Sequence, residues 1–431
     1  MVLNAESQFR DTNYSTSESA VNSPRHRWYV IKEAFSFELL EAALNESSCD
    51  TKDRIIDPFC GSGTIPLAGT VKKHSTIGIE VNPFLAFVSR AKLLQCRPKT
   101  LEKYVPLVTK GIRASHISPL EKFSTFSEDG GSSKWLFNKE VLRSYEGGWL
   151  KTTDLAAPAR SLLRLALVGA AMDCCNGVQD GKCLRYRKDW KSLKLGKSQF
   201  LEHFLRRMAY ISEDLHSAPI EQNGSKVYLG DARQILKEKQ NYKFKLCLTS
   251  PPYLNSFDYS DVYRPELFLI KAITKQEQLR ALRQKTLRSH VQAKWPNPEK
   301  STFGASYKSM IQQLADRTQV MWNKRLPIMV QAYFEDIENV LTQLRAKALA
   351  EASLWMVIST SAYAGIEIPV DLIIAEIGEQ VGWKVREVAL IRYLRSSGQH
   401  IQKQAENANG NSNRLRESIV MLQAGPVASR K

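Results

Sequence analysis

Cysteine and long apolar runs are both scarce in this sequence. Seven cysteines occur among 431 residues, odd in number and scattered, without the paired spacing of a disulfide framework or a zinc site. The first thirty residues are polar, and no later run approaches the roughly 18 apolar residues of a membrane span. These absences argue against a disulfide-stapled secreted domain, a metal site and a membrane partner, and they predict a reducing, cytoplasmic location.

Acidic residues are also under-represented. The chain has 44 Asp and Glu against 61 Lys and Arg, which gives a formal net charge of +17. An excess of positive charge favours a polyanionic partner. Charge alone does not separate DNA from RNA or from anionic lipid, and a basic surface that simply faces solvent remains an alternative.

The order of apolar and polar residues divides the chain into units. A single core seldom exceeds about 250 to 300 residues, so a chain of 431 residues should form two structural units. Residues 1–27 are polar and predict a disordered tail. Strand and helix patterns alternate over 28–95 and return over 226–424, which predicts one α/β domain with a parallel sheet. Between them, 96–225 predict an inserted, mainly helical unit with its own small core.

The strongest local signal is the run DPFCGSGT from Asp57 to Thr64, at a predicted strand-to-helix junction. Gly61 and Gly63 allow a ligand to approach the backbone, and the following helix offers unpaired N–H groups. Glu80 ends the next predicted strand about 20 residues later, where an acid accepts hydrogen bonds from both ribose hydroxyls in nucleotide sites. An ordinary tight turn and a helix N-cap are the structural alternatives.

Two further strand ends carry polar residues. Asp231, in the run GDAR, can accept a hydrogen bond from an adenine amino group or cap the helix that follows. The run TSPPY, from Thr249 to Tyr253, follows an apolar strand. Its paired prolines have no N–H and form a rigid corner that presents carbonyl groups outward. Because open α/β sheets bind ligands at the carboxyl ends of their strands, we expect both runs at the binding edge.

The residue types of TSPPY suit transfer of a group to the amine of a nucleic-acid base. The exocyclic amine of cytosine or adenine is a poor nucleophile because its lone pair is delocalised into the ring. Two acceptors for its protons, the Ser250 hydroxyl and the Pro251 carbonyl, would pull the nitrogen towards tetrahedral geometry, and oriented dipoles would stabilise the developing charge. Tyr253 would stack on a base that has been extruded from the duplex.

These motifs resemble those of the amino-methylating DNA methyltransferases, which use S-adenosylmethionine to modify cytosine N4 or adenine N6. DPFCGSGT is similar to the family's cofactor motif and TSPPY to its catalytic motif, and the resemblance covers about 28–95 and 226–422. It implies an α/β, Rossmann-like class I methyltransferase sheet of seven mostly parallel strands, one of them antiparallel, with helical insertions for target recognition. It also implies S-adenosylmethionine as cofactor, double-stranded DNA as partner, and a restriction-modification setting in which a cognate restriction endonuclease is a further partner to test.

The resemblance assigns roles to residues by position. The implied catalytic residues are Ser250, Pro251, Pro252 and Tyr253. The implied cofactor-binding residues are Phe35, Asp57, Pro58, Phe59, Cys60, Gly61, Gly63, Thr64, Glu80, Asn82, Asp231 and Ala232. Family members with Ser before Pro-Pro-Tyr are mostly cytosine-N4 enzymes, whereas Asp or Asn usually accompanies adenine N6. Ser250 therefore favours cytosine, but the cofactor motif precedes the catalytic motif here, the reverse of many cytosine-N4 enzymes, and this order leaves adenine N6 open.

Two segments compete for target recognition. The insertion, 96–225, carries basic residues interleaved with aromatic ones, a composition suited to phosphate and base contacts. The segment 255–350 directly follows the catalytic motif and carries a second basic run, and its first residues should form part of the substrate pocket wall. The predicted DNA contacts are Arg185, Arg187, Lys188, Asn255 and Tyr259. Either basic run is also compatible with a solvated surface.

Two other functions fit parts of the pattern. An RNA methyltransferase acting on guanine N2 or adenine N6 can carry the same cofactor motif. Such enzymes usually have Asn or Asp in place of Ser250 and often a preceding RNA-binding module, which 1–27 do not provide. A non-catalytic nucleic-acid-binding subunit could keep the fold, but the intact pocket acids and TSPPY argue against it. The sequence thus predicts a site-specific DNA methyltransferase, preferentially of cytosine N4.

Overall fold

The computed structural model describes residues 3–10, 14–16, 20–31, 36–180, 183–193, 195–221, 223–239, 241–394 and 415–425. The strands are β1 (Arg54–Asp57), β2 (Ser75–Glu80), β3 (Gly177–Asp180), β4 (Cys183–Tyr186), β5 (Lys226–Leu229), β6 (Phe244–Thr249), β7 (Ala348–Ser359), β8 (Ser361–Tyr363), β9 (Ile366–Ile368), β10 (Trp383–Tyr393) and β11 (Arg416–Ala424). The helices are α1 (Phe37–Glu46), α2 (Thr64–Val71), α3 (Pro83–Lys92), α4 (Pro98–Ala114), α5 (Lys139–Leu150), α6 (Ala159–Asp173), α7 (Lys197–Ser217), α8 (Ala232–Glu238), α9 (Tyr259–Val262), α10 (Arg264–Leu269), α11 (Gln276–Arg283), α12 (Ala305–Asp316), α13 (Leu326–Lys347) and α14 (Val370–Gln380). Within this described part of the chain, no helix combines the length and apolar character needed to cross a membrane.

The central element is a seven-stranded sheet in the order β10-β11-β7-β6-β1-β2-β5. β11 runs antiparallel to both of its neighbours, β7 and β10. The other neighbouring pairs, from β7 through β6, β1 and β2 to β5, are parallel. This is the mostly parallel sheet with one antiparallel strand that the sequence resemblance implies, so the fold prediction is confirmed.

The middle of the sheet is buried on both faces. Successive residues of a strand point to opposite faces: Ile55 contributes to a core with α1 and α2, whereas Ile56 contributes to a core with α13 and α14. In the parallel register Ile56 lies opposite Ile77 and Cys247. Because these strands point the same way, their carboxyl ends come together at one edge of the sheet.

The segment predicted as an insertion is helical, but its core is shared with the rest of the molecule. α4, α5, α6 and α7 pack in one hydrophobic cluster that also includes Trp28, Phe84 and Phe268. Phe84 belongs to α3, which covers the sheet, and Phe268 belongs to α10, beyond TSPPY. These helices therefore extend the main core instead of forming the separate small core that the sequence predicts.

The first described residues pack on the sheet, in contrast to the disordered N-terminal tail that composition predicts for 1–27. Asn4 exchanges backbone hydrogen bonds with the edge strand β10, donating to Val388 at 2.9 Å and accepting from Leu390 at 3.0 Å. Phe9 is 5% exposed and meets Trp355 edge-on, with ring centroids 5.0 Å apart. An edge strand presents unpaired backbone groups, and these residues satisfy some of them. For these described residues the prediction of disorder is wrong.

A buried aspartate ties the chain before the sheet to α7. Asp214 has no exposed surface (0%). Its carboxylate accepts hydrogen bonds from the Arg25 backbone N–H (2.7 Å), the Arg27 guanidinium (2.6 Å) and the Trp28 indole (2.8 Å). Donors from the protein thus replace the water that a carboxylate loses on burial.

We expect Asp214→Ala to lower the free energy of unfolding by about 3 kcal/mol, because the Trp28 indole and the Arg25 N–H lose their acceptor in a buried setting. Denaturant unfolding followed by tryptophan fluorescence measures the effect. Glu213→Ala is the matched control: Glu213 also pairs with Arg27, but its side chain is 63% exposed, so we expect a cost below about 1 kcal/mol. Equal losses in the two variants would contradict the role given to Asp214.

Candidate active site

A cavity of about 390 Å³ lies at the carboxyl edge of the sheet. The ends of four parallel strands reach it: β1 through Asp57, β2 through Glu80, β5 through Asp231 just beyond its end, and β6 through Ser250. Its volume is typical of a site for a small molecule or cofactor. The edge at which it opens is where α/β sheets of this kind bind ligands.

Most of the residues predicted from the sequence meet in this cavity. Those that line it are Asp57, Pro58, Phe59, Cys60, Gly61, Thr64, Glu80, Asn82, Asp231, Ala232, Ser250, Pro251, Pro252, Tyr253, Asn255 and Tyr259. Gly63 stands behind the wall as the N-cap of α2, at φ 85°, and a Cβ there would clash with Ser89. Phe35 lies outside the described residues.

The three basic residues predicted to contact DNA from the insertion lie elsewhere. Arg185, Arg187 and Lys188 do not line the cavity. The Arg187 guanidinium donates to the Cys175 carbonyl at 3.0 Å, just beyond the C-terminal end of α6, where a positive charge complements the helix dipole. Arg185 and Lys188 are exposed. Arg187 thus has a contact within the fold, and the DNA contacts of these three residues stay predictions.

The turn from Asp57 to Thr64 is held by hydrogen bonds to both neighbouring strands. Asp57 Oδ1 accepts from the Phe59 N–H at 3.0 Å and from the Thr249 hydroxyl at 2.7 Å. The Gly61 N–H donates to Glu80 Oε2 at 2.9 Å. Gly61 adopts φ 50°, a left-handed conformation that glycine takes at little cost. The acids at the ends of β1 and β2 therefore shape the turn that lies between them.

Burial changes the charge of both acids. Desolvation raises the pKa of Asp57 to about 7, against the effect of its hydrogen bonds from Thr249 and Phe59. Desolvation likewise raises the pKa of Glu80 to about 7, against the effect of backbone N–H donors that include those of Asn82 and Gly61. Near neutral pH, each side chain can therefore either donate or accept a proton in a hydrogen bond.

Asp231 lies at the junction of a buried ion network. Its carboxylate caps α8, accepting from the Arg233 N–H at 2.9 Å, so the helix-cap alternative from the sequence is realised while the residue also lines the cavity. The Arg233 guanidinium reaches Asp231 at 2.6 Å and Asp336 at 2.7 Å. Asp336 also binds Arg288 at 2.8 Å. This network fixes the segment before α12 against the strand ends.

TSPPY lines the cavity together with two residues that lie outside the sequence motifs. The Tyr253 hydroxyl donates to Glu417 Oε1 at 2.7 Å, and Arg392 Nε donates to Glu417 Oε2 at 2.7 Å. Burial and the nearby Glu417 raise the pKa of Tyr253 well above its usual value. Glu417 and Arg392 lie on β11 and β10, and only the sheet topology brings them to TSPPY.

Three buried polar atoms of the cavity wall have no hydrogen-bond partner within the described residues: Ser62 Oγ, Asn82 Nδ2 and His290 Nδ1. Unpaired buried polar groups are costly, and a ligand that pairs with them relieves that cost. Sequence reasoning missed Ser62, although it lies inside DPFCGSGT, and His290, which lies in no motif. Across the described chain, no group of three or more His, Cys, Asp or Glu side chains could hold a metal ion.

Comparisons with known proteins identify relatives. A family model described as RMKL-like, methyltransferase domain, matches residues 25–117. The Type II methyltransferase M.BsoBI of Geobacillus stearothermophilus is 25% identical over 93% of this chain and 86% of its own length. The Type II methyltransferase M.AvaI of Nostoc sp. is 24% identical over 86% of this chain and 81% of its own length. Among solved structures, the rRNA methyltransferase aviRa from Streptomyces viridochromogenes matches at 12% identity with a TM-score of 0.32, over 95% of this chain and 96% of that one, a superposition too loose to bear on function.

These matches support an S-adenosylmethionine-dependent methyltransferase, and the chain is similar along most of its length to Type II methyltransferases. Its cofactor supplies a methyl group carried on a positively charged sulfur. The methyltransferase cavity offers carboxylates that suit both ribose hydroxyls and a nearby positive charge, through Asp57 and Glu80. It also offers the unpaired side-chain atoms of Ser62 and Asn82. These groups fit the polar and charged parts of the cofactor.

We expect the unliganded methyltransferase to lose stability through Asp57 as the pH rises. With a folded-state pKa of about 7 against the usual 3.8, the folded protein binds this proton more tightly than the unfolded chain. The stability that this bound proton contributes is fully present below about pH 4 and is lost as the pH rises through about 7. Between pH 5 and pH 8, calorimetry without cofactor should therefore show the midpoint of the wild type falling by about 3 to 5 °C relative to Asp57→Asn.

Asp50→Asn, a change at an exposed carboxyl, is the control for this comparison. Its midpoint should follow the wild type across the same range. Parallel pH profiles for the wild type and Asp57→Asn would show that Asp57 is ionised throughout and would contradict the expected shift.

Proposed function

We propose that this methyltransferase acts on double-stranded DNA and methylates an exocyclic base amine, preferentially N4 of cytosine. One observation carries the proposal: TSPPY and the turn from Asp57 to Thr64 line the same cavity. A donor site and an acceptor site that share a cavity can bring a methyl group and an amine together without a carrier intermediate. The Type II designation of the relatives supports a role in restriction and modification.

On the donor side, each of the three acids has one role. Glu80 accepts hydrogen bonds from the ribose hydroxyls, and Asp231 accepts one from the adenine amino group. Asp57 holds the glycine turn, through its contacts with Phe59 and Thr249. The burial of Asp57 and Glu80, at 2% and 8% exposure, strengthens these contacts because water does not compete for them.

On the acceptor side, the Ser250 hydroxyl and the Pro251 carbonyl take hydrogen bonds from the two amine protons. This draws the nitrogen lone pair out of conjugation with the ring, and the fixed dipoles stabilise the positive charge that develops. The Tyr253 ring stacks on the extruded base. Its hydroxyl donates to Glu417.

The choice of cytosine over adenine rests on Ser250. A neutral hydroxyl can accept one amine proton while donating its own hydrogen to the base ring, which has an acceptor nitrogen beside the amine in cytosine. Adenine also has an acceptor nitrogen beside its amine. This hydrogen-bond pattern therefore does not separate the two bases, and adenine N6 is the alternative. The preference for cytosine follows from the resemblance of Ser-Pro-Pro-Tyr to cytosine-N4 motifs.

For target recognition, we propose the segment 255–350. Asn255 and Tyr259 line the cavity, as do Lys285, Thr286 and His290 further along this segment. The competing insertion has no such contact through the basic residues predicted from the sequence. A reader of the target must lie beside the extruded base, and this segment meets that requirement.

Incubation of the full chain with tritiated S-adenosylmethionine tests the proposal. The substrates are amplified, unmodified duplex DNA and total RNA in separate reactions, followed by digestion and chromatography of the nucleosides. We expect label in DNA as N4-methylcytosine. Label in N6-methyladenine would overturn the base assignment, and label confined to RNA would overturn the substrate.

Changes in TSPPY should reduce turnover and spare cofactor binding. We expect Ser250→Ala to lower kcat by about 100-fold, because one acceptor for the amine protons is lost. Tyr253→Ala should lower kcat/KM for DNA by about 10- to 100-fold through lost stacking. Calorimetric titration with S-adenosylmethionine should give nearly wild-type affinity for both variants.

Tyr253→Phe is the matched control, since it keeps the ring and removes only the hydroxyl that contacts Glu417. We expect it to retain most of the activity. A loss of cofactor affinity in Ser250→Ala or Tyr253→Ala as large as the loss of turnover would contradict the division of the cavity into two halves.

A further inference from the structure

His290 is a buried histidine in the cavity wall that no motif accounts for. It lies between α11 and α12, is 2% exposed, and lines the cavity next to Ser289. Its Nδ1 has no hydrogen-bond partner among the described residues. At a ligand site, such an unpaired nitrogen is available for a contact that the substrate completes.

A neighbouring threonine favours one tautomer of His290. Thr286 Oγ1 donates its single hydrogen to the Arg283 carbonyl at 2.8 Å. The same oxygen lies 3.4 Å from His290 Nε2 and has no second hydrogen to give, which favours hydrogen on Nε2. In the neutral ring this leaves Nδ1 as a bare acceptor.

The ring is uncharged at neutral pH. Burial lowers the pKa of His290 below its usual 6.5, and the Arg283 guanidinium acts in the same direction. The Asp258 carboxylate and the Gln292 side chain act in the opposite direction without outweighing burial. Asp258 is itself paired with Arg283, at 2.5 Å, which reduces its pull on the imidazole.

The loop that carries His290 is hydrogen-bonded to the segment that follows the catalytic motif. The Ser256 N–H, shortly after TSPPY, donates to the Ser289 carbonyl at 3.1 Å. Trp295 packs edge-on against the imidazole, with centroids 5.4 Å apart, and its indole donates to the His290 carbonyl at 3.0 Å. The ring is therefore fixed in the wall of the cavity that TSPPY also lines.

Amine methylation also needs a group that takes up a proton, and the other candidates in the cavity are engaged. Asp57 and Glu80 hold the glycine turn, and Asp231 is paired with Arg233. Glu417 accepts from Tyr253 and forms an ion pair with Arg392. A serine hydroxyl and a backbone carbonyl can orient the amine, but neither retains a proton at neutral pH.

We propose that His290 Nδ1 accepts the proton that the target amine loses during methylation, an inference that rests on the proposed function. As the amine nitrogen bonds to the methyl carbon, the carbon–sulfur bond breaks and its electron pair stays on sulfur. As positive charge develops on the nitrogen in this same step, one N–H proton passes to Nδ1 and the electron pair of that bond stays on nitrogen, so loss of the base slows methyl transfer itself. The imidazolium releases the proton to solvent and returns to the neutral ring.

The test compares His290→Phe and His290→Gln with the wild type in single-turnover methylation of amplified, unmodified DNA. We expect His290→Phe to slow methyl transfer by about 100-fold, with S-adenosylmethionine affinity within about twofold of wild type. His290→Gln keeps an acceptor atom but not a base, so it should recover only part of the rate. His74→Phe is the matched control: His74 is also buried, at 4% exposure, with an unpaired Nδ1, but it lies outside the cavity, and its rate should be unchanged.

A second readout does not depend on turnover. In two-bond ¹H–¹⁵N spectra of the labelled protein at neutral pH, the signals absent from His290→Phe should show a neutral ring with hydrogen on Nε2. A protonated Nδ1, a wild-type rate in His290→Phe, or an equal loss in His74→Phe would each overturn the assignment of His290 alone. A wild-type chain that labels no DNA would overturn the proposed function, and this inference with it.

Discussion

The parallel pairing of β1 with β2 and β6 is the constraint on which the site depends. Ile56 lies opposite Ile77 and Cys247, so the residues that follow these strands must emerge at one edge. That register brings the glycine turn, its supporting acids and TSPPY to one cavity, although they are far apart in sequence. Ile55 and Ile56 pack into apolar cores on opposite faces of the sheet, so the packing that stabilises the sheet also fixes the site.

The buried ion network adds a second connection between the two halves of the cavity. Arg233 pairs with both Asp231 and Asp336, and Asp336 also pairs with Arg288. Arg288 lies in the segment before α12, so these ion pairs hold that segment in place. Breaking a buried charge network leaves charges without partners, at a cost of several kcal/mol, whereas its net contribution to stability is small. Its value here is geometric, because it sets the position of the loop with His290 relative to the strand ends where the cofactor motif lies.

The two motifs of the site could be predicted from the sequence because their residue types restrict the local backbone. A glycine turn after a strand and a Pro-Pro corner have few backbone solutions, so DPFCGSGT and TSPPY could be placed at strand ends before the fold was known. Glu417 and His290 could not be predicted, because they reach the cavity through strand order and through a loop without a motif.

For the N-terminal residues, composition alone gives the wrong prediction. It reports a low apolar content, but it does not show that Phe9 is buried against the sheet. The Arg187 side chain lies at the end of α6, where helix capping favours the same residue type as nucleic-acid binding, so its contact with DNA stays a prediction.

The proposed function requires that the methyl donor and the methyl acceptor bind in one cavity. A crystal structure of the full chain with S-adenosylhomocysteine tests this most directly, because the ligand marks the donor half without any turnover. We expect its ribose hydroxyls within about 3 Å of the Glu80 carboxylate and its sulfur facing Ser250 and Pro251. A ligand bound outside this cavity, or one whose sulfur faces away from TSPPY, would contradict the account.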